Sequence, residues 1–173
     1  MTEGPPDDLL DGLVAGQECA FAAIYDRHGA AMLRVAAAIA GSREEAEDAV
    51  QDVFVGLVRA GERLRAVQNL RAYLFASVRR AALRRRRRRR PAALASHDVP
   101  EARASREAGD AETAARLERA LALLPQEQRE IVALHVDGGL TFGECAEVLA
   151  ISPNTAASRY RYALGKLRDA LKE

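Results

Sequence analysis

The sequence predicts an all-α protein of two small helical domains joined by a flexible linker, the C-terminal domain being a helix-turn-helix. Apolar residues recur at three- and four-residue steps along most of the chain, and no strand-like alternation persists. A stretch rich in Ala and Pro, without an apolar stripe, separates two periodic halves. We therefore divide the chain into a disordered tail (1–8), a helical domain (9–90), a linker (91–111) and a second helical domain (112–173).

Three helices are predicted before residue 62. A short apolar stripe covers 9–14, and a longer periodic segment ends at Gly41. Ser42 is placed to cap the third helix, and Glu45 is spaced to complete a capping box. The outward face of this helix carries polar and acidic side chains, which we call the acidic stripe: Glu44, Glu47, Asp48, Gln51 and Asp52. A merely solvated face is the alternative interpretation.

The fourth helix follows a flexible, polar connection (62–68) and is capped by Asn69. It continues into seven adjacent arginines, Arg84 to Arg90, here called the arginine tract. Guanidinium groups at i,i+4 repel each other, so we expect the tract to act beside a polyanion such as nucleic acid. An RNA-binding or nonspecific basic tail is an alternative.

The helix-turn-helix prediction rests on residues 124–171. Thr141 and Glu144 have capping-box spacing at the start of a short helix, 142–149. After a tight break, Ser152 caps a longer helix and Pro153 occupies its first turn, where a missing N–H costs nothing. Two helices joined by a tight turn, the second of them exposed on one face, are typical of proteins that read duplex DNA.

The exposed face of the last helix has short hydrogen-bond donors near its start and cations further along. Such a helix can reach base edges with its first residues and phosphates with later ones. An amphipathic hairpin with a solvated basic face is the alternative. The candidate DNA-contacting residues are Asn154, Thr155, Ser158, Arg159, Arg161, Tyr162 and Lys166.

Composition argues against several other classes of protein. The net charge of +1 conceals a basic segment, since residues 79–90 contain nine arginines. Cys19 and Cys145 are far apart, and no Cys/His spacing suggests a metal site or cofactor. No nucleophile–base pair or glycine-rich phosphate loop suggests an enzyme. No signal peptide or apolar run of membrane-spanning length is evident, so we expect a cytoplasmic protein without membrane insertion.

Three segments in this order resemble the extracytoplasmic-function sigma factors of bacterial RNA polymerase. The first contains the run EAEDAVQDVF (45–54), and the second joins the fourth helix to the arginine tract. The third contains LPQEQRE (124–130) and SRYRYAL (158–164). The resemblance covers about residues 10–90 and 112–171, and it implies a factor that gives core RNA polymerase its promoter specificity.

The resemblance also implies roles for particular surfaces. The third helix would dock on the clamp helices of the largest polymerase subunit, the second domain would reach the polymerase flap and the promoter −35 element, and the first domain would open the −10 element. The polymerase-binding positions are Asp48, Gln51 and Asp52. The −10 positions are Leu64, Asn69, Arg79, Arg80, Arg84 and Arg87. The −35 positions are the candidate DNA-contacting residues of the last helix.

The chain departs from the family at several positions, including Leu64, near which the family often has an aromatic residue, and Ala157, where it usually has a basic one. Arg80 stands where the family usually has Asn, and Arg84 stands where it usually has Asp. Phosphate contacts can substitute there for direct readout of the −10 element. An anti-sigma factor is an additional candidate partner.

Two competing functions remain open at this point. A self-contained helix-turn-helix regulator would bind duplex DNA tightly without polymerase. An arginine-rich RNA-binding protein would use residues 79–90 and tolerate loss of residues 112–173. Co-purification with core polymerase distinguishes both from a sigma factor.

Overall fold

The structure is a computed structural model that describes residues 7–89 and 108–172. All the regular structure in these two ranges is helical. The N-terminal module contains α1 (Asp7–Val14), α2 (Glu18–Ala40), α3 (Arg43–Ala60), a 3₁₀ helix (Gly61–Ala66) and α4 (Leu70–Arg89). The C-terminal module contains α5 (Ala108–Leu123), α6 (Gln126–Val132), a π-helical segment (Ala133–Asp137), α7 (Phe142–Leu149) and α8 (Pro153–Lys172).

Helices α2, α3 and α4 pack together and form the core of the N-terminal module. Ile24 and Met32 of α2, Leu57 of α3, and Leu74 and Phe75 of α4 are all at most 1% exposed. These residues recur at helical spacing, so each helix buries one face and leaves the other in solvent. The outward faces of α3 and α4 are thereby free to carry charge.

Two sequence predictions for this module need correction. Ser42 Oγ accepts a hydrogen bond from the backbone N–H of Glu45 at 3.3 Å, as predicted. The Glu45 carboxylate instead lies 3.6 Å from the Arg85 guanidinium. The predicted capping box is therefore only half formed, and an ion pair replaces the hydrogen bond from Glu45 back to the N-terminus of the helix. The connection predicted to be flexible forms the 3₁₀ helix, because Leu64 is inserted into the core and is 1% exposed. Asn69 does cap α4, since its Oδ1 accepts the Ala72 N–H at 3.0 Å.

The local signals in the C-terminal module are confirmed. Thr141 and Glu144 form the predicted capping box at the start of α7. Ala150 ends α7 with a φ of 54°, the left-handed conformation that makes the tight turn. Ser152 Oγ then accepts the Thr155 N–H at 3.1 Å and caps α8. Leu164 and Leu171 recur at the same helical spacing as the buried residues of α8, but they are 38% and 36% exposed.

A feature with no clear sequence signal closes the end of α5. The Arg129 guanidinium donates to the carbonyl oxygens of Leu121, Ala122 and Leu124 at 3.1, 2.6 and 2.9 Å. The last carbonyls of a helix lack partners within the helix, and a cation there also opposes the helix dipole. Arg129 therefore fixes α5 against α6, and burial lowers its pKa.

The two modules share one apolar core. Ile131, Leu134, Leu140, Cys145 and Val148 belong to the same buried cluster as the core side chains of α2 and α4. The sequence predicts two modules joined by a tether, whereas the structure packs α6 and the π-helical segment on α2, and α7 on α4. Most of the predicted tail and linker, residues 1–6 and 91–107, lie outside the described residues.

Glu144 joins the capping box to the contact between modules. Its carboxylate accepts from the backbone N–H and hydroxyl of Thr141, from Asn69 Nδ2 at 3.0 Å and from Arg71 at 3.1 Å. Burial acts to raise the pKa of Glu144, but these hydrogen bonds and the Arg71 charge outweigh it and lower the pKa from 4.5 to about 2. The anion is therefore favoured by the folded state.

We predict that Glu144→Gln lowers the free energy of unfolding by about 1–3 kcal/mol at pH 7. Because the folded pKa lies below the unfolded one, the stabilisation is present above pH 4.5 and is lost as pH falls toward 2. Urea unfolding at pH 7 and pH 3 measures both effects. Glu147→Gln, an exposed change on the same helix, is the matched control. A difference between the two variants that is as large at pH 3 as at pH 7 would contradict the assignment.

Candidate nucleic-acid and protein interfaces

The first surface lies along the start of α8. Asn154 and Thr155 are exposed in its first turn, and Tyr162 is 70% exposed two turns later. Ala156, Ala163 and Leu167 are buried on the opposite face and hold the helix against the rest of the C-terminal module. The predicted DNA-contacting residues therefore share the outward side of one rigid helix.

Two arginines on this surface have intramolecular partners. Nη2 of Arg159 lies 2.7 Å from Oε2 of Glu127 in α6. Nη2 of Arg161 donates a hydrogen bond to Ser158 Oγ at 3.2 Å. Glu127 has a side chain that is 68% exposed. The Arg159 side chain is 28% exposed, so this pair is partly open to solvent and can exchange Glu127 for another anion at small cost.

The second surface is the basic side of α4. Arg80, Arg84 and Arg87 are exposed, as expected for contacts to nucleic acid. Arg79 is different, because its Nε donates to Glu130 Oε2 of α6 at 2.7 Å and its side chain is only 26% exposed. The predicted contact at Leu64 is wrong for this structure, since that side chain is buried in the core.

Ion pairs between the modules have a consistent polarity in the described part of the chain. Arg34 pairs with Asp137 at 3.0 Å, Arg71 with Glu144 at 3.1 Å and Arg79 with Glu130 at 2.7 Å. Each cation belongs to the N-terminal module and each carboxylate to the C-terminal module. Arg71 also donates to the Gly139 carbonyl, and Arg86 to the Gln126 side chain. The C-terminal module thus occupies part of the basic surface.

The third surface is the acidic stripe on α3, and it is bridged by the arginine tract. Arg85 Nη1 lies 2.6 Å from Asp48 Oδ2, and its Nη2 and Nε lie 3.1 and 3.2 Å from Asp52 Oδ2. Gln51 is exposed beside them. Two of the three predicted polymerase-binding residues therefore already hold a guanidinium group.

A shallow groove of about 160 Å³ runs between α3 and α4 beside this bridge. Asp52 lies on one wall, and Tyr73, Ser77, Arg80 and Arg84 lie on the other. The acidic stripe and the basic surface of α4 thus meet at one groove.

Sequence reasoning did not identify the partners of these arginines. Glu130 and Glu127 lie in the LPQEQRE run, and Arg85 lies within a uniform tract, so neither pattern distinguishes them from solvated charge. The signal that could have distinguished Arg85 is its position around the axis of α4, on the side that meets α3. The described residues contain no group of His, Cys, Asp or Glu able to hold a metal ion, and none of their helices is long and apolar enough to cross a membrane.

Comparison with known proteins defines the class first. Residues 24–92 match the family described as Sigma-70 region 2, and residues 114–167 match Sigma-70 region 4. The two matches correspond to the N-terminal and C-terminal modules. The chain is therefore a two-part sigma factor of the sigma-70 type.

Relatives narrow the class. The ECF RNA polymerase sigma factor SigM of Mycobacterium tuberculosis strain H37Rv is 31% identical over 164 residues, which cover 95% of this chain and 83% of SigM. SigL of the same strain is 30% identical over 172 residues, which cover 95% of this chain and 96% of SigL. The chain belongs to the ECF sigma factors. It is an alternative sigma factor that binds core RNA polymerase and directs promoter-specific initiation, and it is not an enzyme.

Two solved structures have the same fold. The structure of CnrH in complex with the cytosolic domain of CnrY has a TM-score of 0.72 and 25% identity, and the match covers 95% of this chain and 96% of that one. The sigma factor RpoE in complex with the anti-sigma factor NepR from Bartonella quintana has a TM-score of 0.63 and 25% identity, with 82% and 90% covered. The sigma-factor interpretation is confirmed over the competing regulator and RNA-binding protein.

We predict that Arg79→Ala lowers the free energy of unfolding by about 3 kcal/mol, because it leaves Glu130, whose side chain is 6% exposed, without its cation. Arg80→Ala removes the same charge one residue later from an exposed position and should cost at most about 0.5 kcal/mol. Urea unfolding of the two variants makes the comparison. Equal losses would show that the pair with Glu130 does not hold the modules together.

Proposed function

We propose that three surfaces of this sigma factor bind three different targets. Asp48, Gln51 and Asp52 dock on the clamp helices of the largest polymerase subunit. The basic surface of α4 grips the −10 element through Asn69, Arg79, Arg80, Arg84 and Arg87. The outward side of α8 reads the −35 element through Asn154, Thr155, Ser158 and Arg159, while Arg161, Tyr162 and Lys166 contact its backbone.

The separation of charge within the N-terminal module carries this proposal. Carboxylates lie along α3 and exposed guanidinium groups along α4, and one groove is lined by Asp52 of α3 and by Arg80 and Arg84 of α4. A protein partner of positive charge and a nucleic acid can then bind the same module side by side. Phosphate contacts supply affinity on α4, whereas base contacts on α8 supply sequence preference.

The packed arrangement of the modules has to open before both promoter elements are bound. The positions that name the −35 and −10 elements lie roughly 25 base pairs apart, which is about 85 Å of duplex at about 3.4 Å per base pair. A compact chain of this length has a radius of gyration of about 16 Å and is about 40 Å across. Opening would also release Asn69, Arg71 and Arg79 from the carboxylates of the C-terminal module. We propose that core polymerase stabilises the opened chain.

Further partners follow from the relatives. RpoE was solved with the anti-sigma factor NepR and CnrH with the cytosolic domain of CnrY, so we propose that an anti-sigma factor also binds this chain. The site of action is the cytoplasm, where promoter DNA and polymerase are located. The polymerase flap is the proposed contact of the C-terminal module.

The docking assignment predicts that Asp48→Asn with Asp52→Asn weakens binding to core polymerase by at least tenfold, about 1.4 kcal/mol. The affinity is measured by titrating core polymerase into protein that carries a fluorophore on Cys19, which is exposed. Cys145 should not be labelled, because it is buried and burial raises the pKa of its thiol to about 12. Asp26→Asn with Glu147→Gln, which removes two other exposed carboxylates, is the control. Wild-type affinity in the docking variant would exclude the stripe as the polymerase contact.

The −35 assignment predicts different outcomes for two arginines of α8. Arg159→Ala should relax base preference at one or two positions of the upstream element, because a bidentate contact from Arg to guanine discriminates by about 1–3 kcal/mol. Arg161→Ala should weaken all promoters by a similar factor, because a phosphate contact carries no sequence information. Transcription from a promoter library with each variant makes the measurement. Unchanged base preference in Arg159→Ala would remove that residue from the readout.

A further inference from the structure

Arg85 differs from its neighbours in the arginine tract by what it contacts. Its guanidinium lies within 3.6 Å of three carboxylates on α3, those of Glu45, Asp48 and Asp52. The side chain is 22% exposed, although the tract continues on both sides of it. Arg84, Arg87 and Arg88 are exposed, and none of them forms an ion pair with another described residue.

The contact has the geometry of a specific bridge. Nε and Nη2 both reach Asp52 Oδ2, and Nη1 reaches Asp48 Oδ2 at 2.6 Å. A planar guanidinium can hold two carboxylates in this way, whereas an ammonium group acts as a single point charge. Asp48 and Asp52 are i,i+4 neighbours whose like charges repel, so each carboxylate gains from sharing the cation. The bridge is thus favoured in the free protein.

We propose that Arg85 masks the polymerase-docking carboxylates in the free sigma factor and leaves them when polymerase binds, becoming available to promoter phosphates. The proposal rests on the docking role assigned above to Asp48 and Asp52. A basic partner has to displace a guanidinium already paired with both of these residues, and while Arg85 remains it repels that partner.

The position of Arg85 links two binding events. It lies on α4 between residues that line the groove and residues that face solvent, so it can turn from the carboxylates of α3 toward DNA held by Arg84 and Arg87. When a DNA phosphate binds Arg85, the acidic stripe loses a cation and becomes more negative. When a basic protein partner binds the acidic stripe, Arg85 is released. Coupling of this kind is reciprocal, so each ligand strengthens binding of the other.

Arg85→Gln removes the bridge and is expected to tighten binding of core polymerase about threefold to fivefold, the range for one partly exposed ion pair. Arg88→Gln, three residues along the same helix, removes an equal charge from an exposed position and should leave core binding within about 1.5-fold of wild type. Arg85→Lys keeps the charge but loses the planar fork, so its affinity should lie between those of wild type and Arg85→Gln. The Cys19-labelled chain and core polymerase described above serve for all titrations.

Three further outcomes decide the proposal. The proposal is overturned if Arg85→Gln binds core polymerase no more tightly than Arg88→Gln does. If Arg85→Gln binds more weakly than Arg88→Gln, Arg85 instead positions the carboxylates for docking. In a chain that also carries Asp48→Asn and Asp52→Asn, Arg85→Gln should have no effect, and a retained gain would show that Arg85 acts elsewhere. If the two Asp changes alone leave core affinity unchanged, the docking assignment itself fails, and the masking proposal fails with it. Thermal unfolding of every variant confirms that folded proteins are compared.

Discussion

The closed arrangement of this sigma factor depends on pairing of arginines in the N-terminal module with carboxylates in the C-terminal module. The Arg79–Glu130 pair is the most buried of these contacts, and Arg71–Glu144 joins the modules at the start of α7. Charged groups removed from water need such partners, because an unpaired buried charge is strongly destabilising. The shared apolar core is therefore most stable in the register that matches these pairs. The same residues define which part of the basic surface is covered.

Opposite charges are kept on adjacent helices of the N-terminal module. The apolar faces of α3 and α4 pack together, so the carboxylates of one helix and the guanidinium groups of the other meet along a common edge. An uninterrupted run of arginines would destabilise an isolated helix. Here Arg85 is neutralised by α3 and Arg86 donates to Gln126 of the C-terminal module, which relieves part of that repulsion. Arg85 and Arg86 are consequently part of the folded structure as well as of the basic side of α4.

Local signals made most of the fold predictable from the sequence. The Thr141 capping box, the Ser152 cap and the buried faces of α2 and α3 each follow from a short pattern with a direct physical cause. Contacts between distant segments were not predictable in this way, because nothing in one helix specifies which side of another it meets. The burial of Leu64, the partner of Arg79 and the packing of α7 on α4 all depend on such contacts. Helical spacing was enough to predict which face of α8 is buried, whereas the contacts that partly occupy α4 were not predicted.

The separation of paired residues along the chain has a consequence for synthesis of the protein on the ribosome. Arg34 and Asp137 are 103 positions apart, and Arg79 and Glu130 are 51 apart. Translation proceeds at about 5–20 residues per second, so several seconds pass between completion of α4 and emergence of α7. During that interval the nascent N-terminal module presents its arginines without the carboxylates that later pair with them. The order of synthesis thus exposes the most basic surface of the chain before the carboxylates that partly neutralise it have been made.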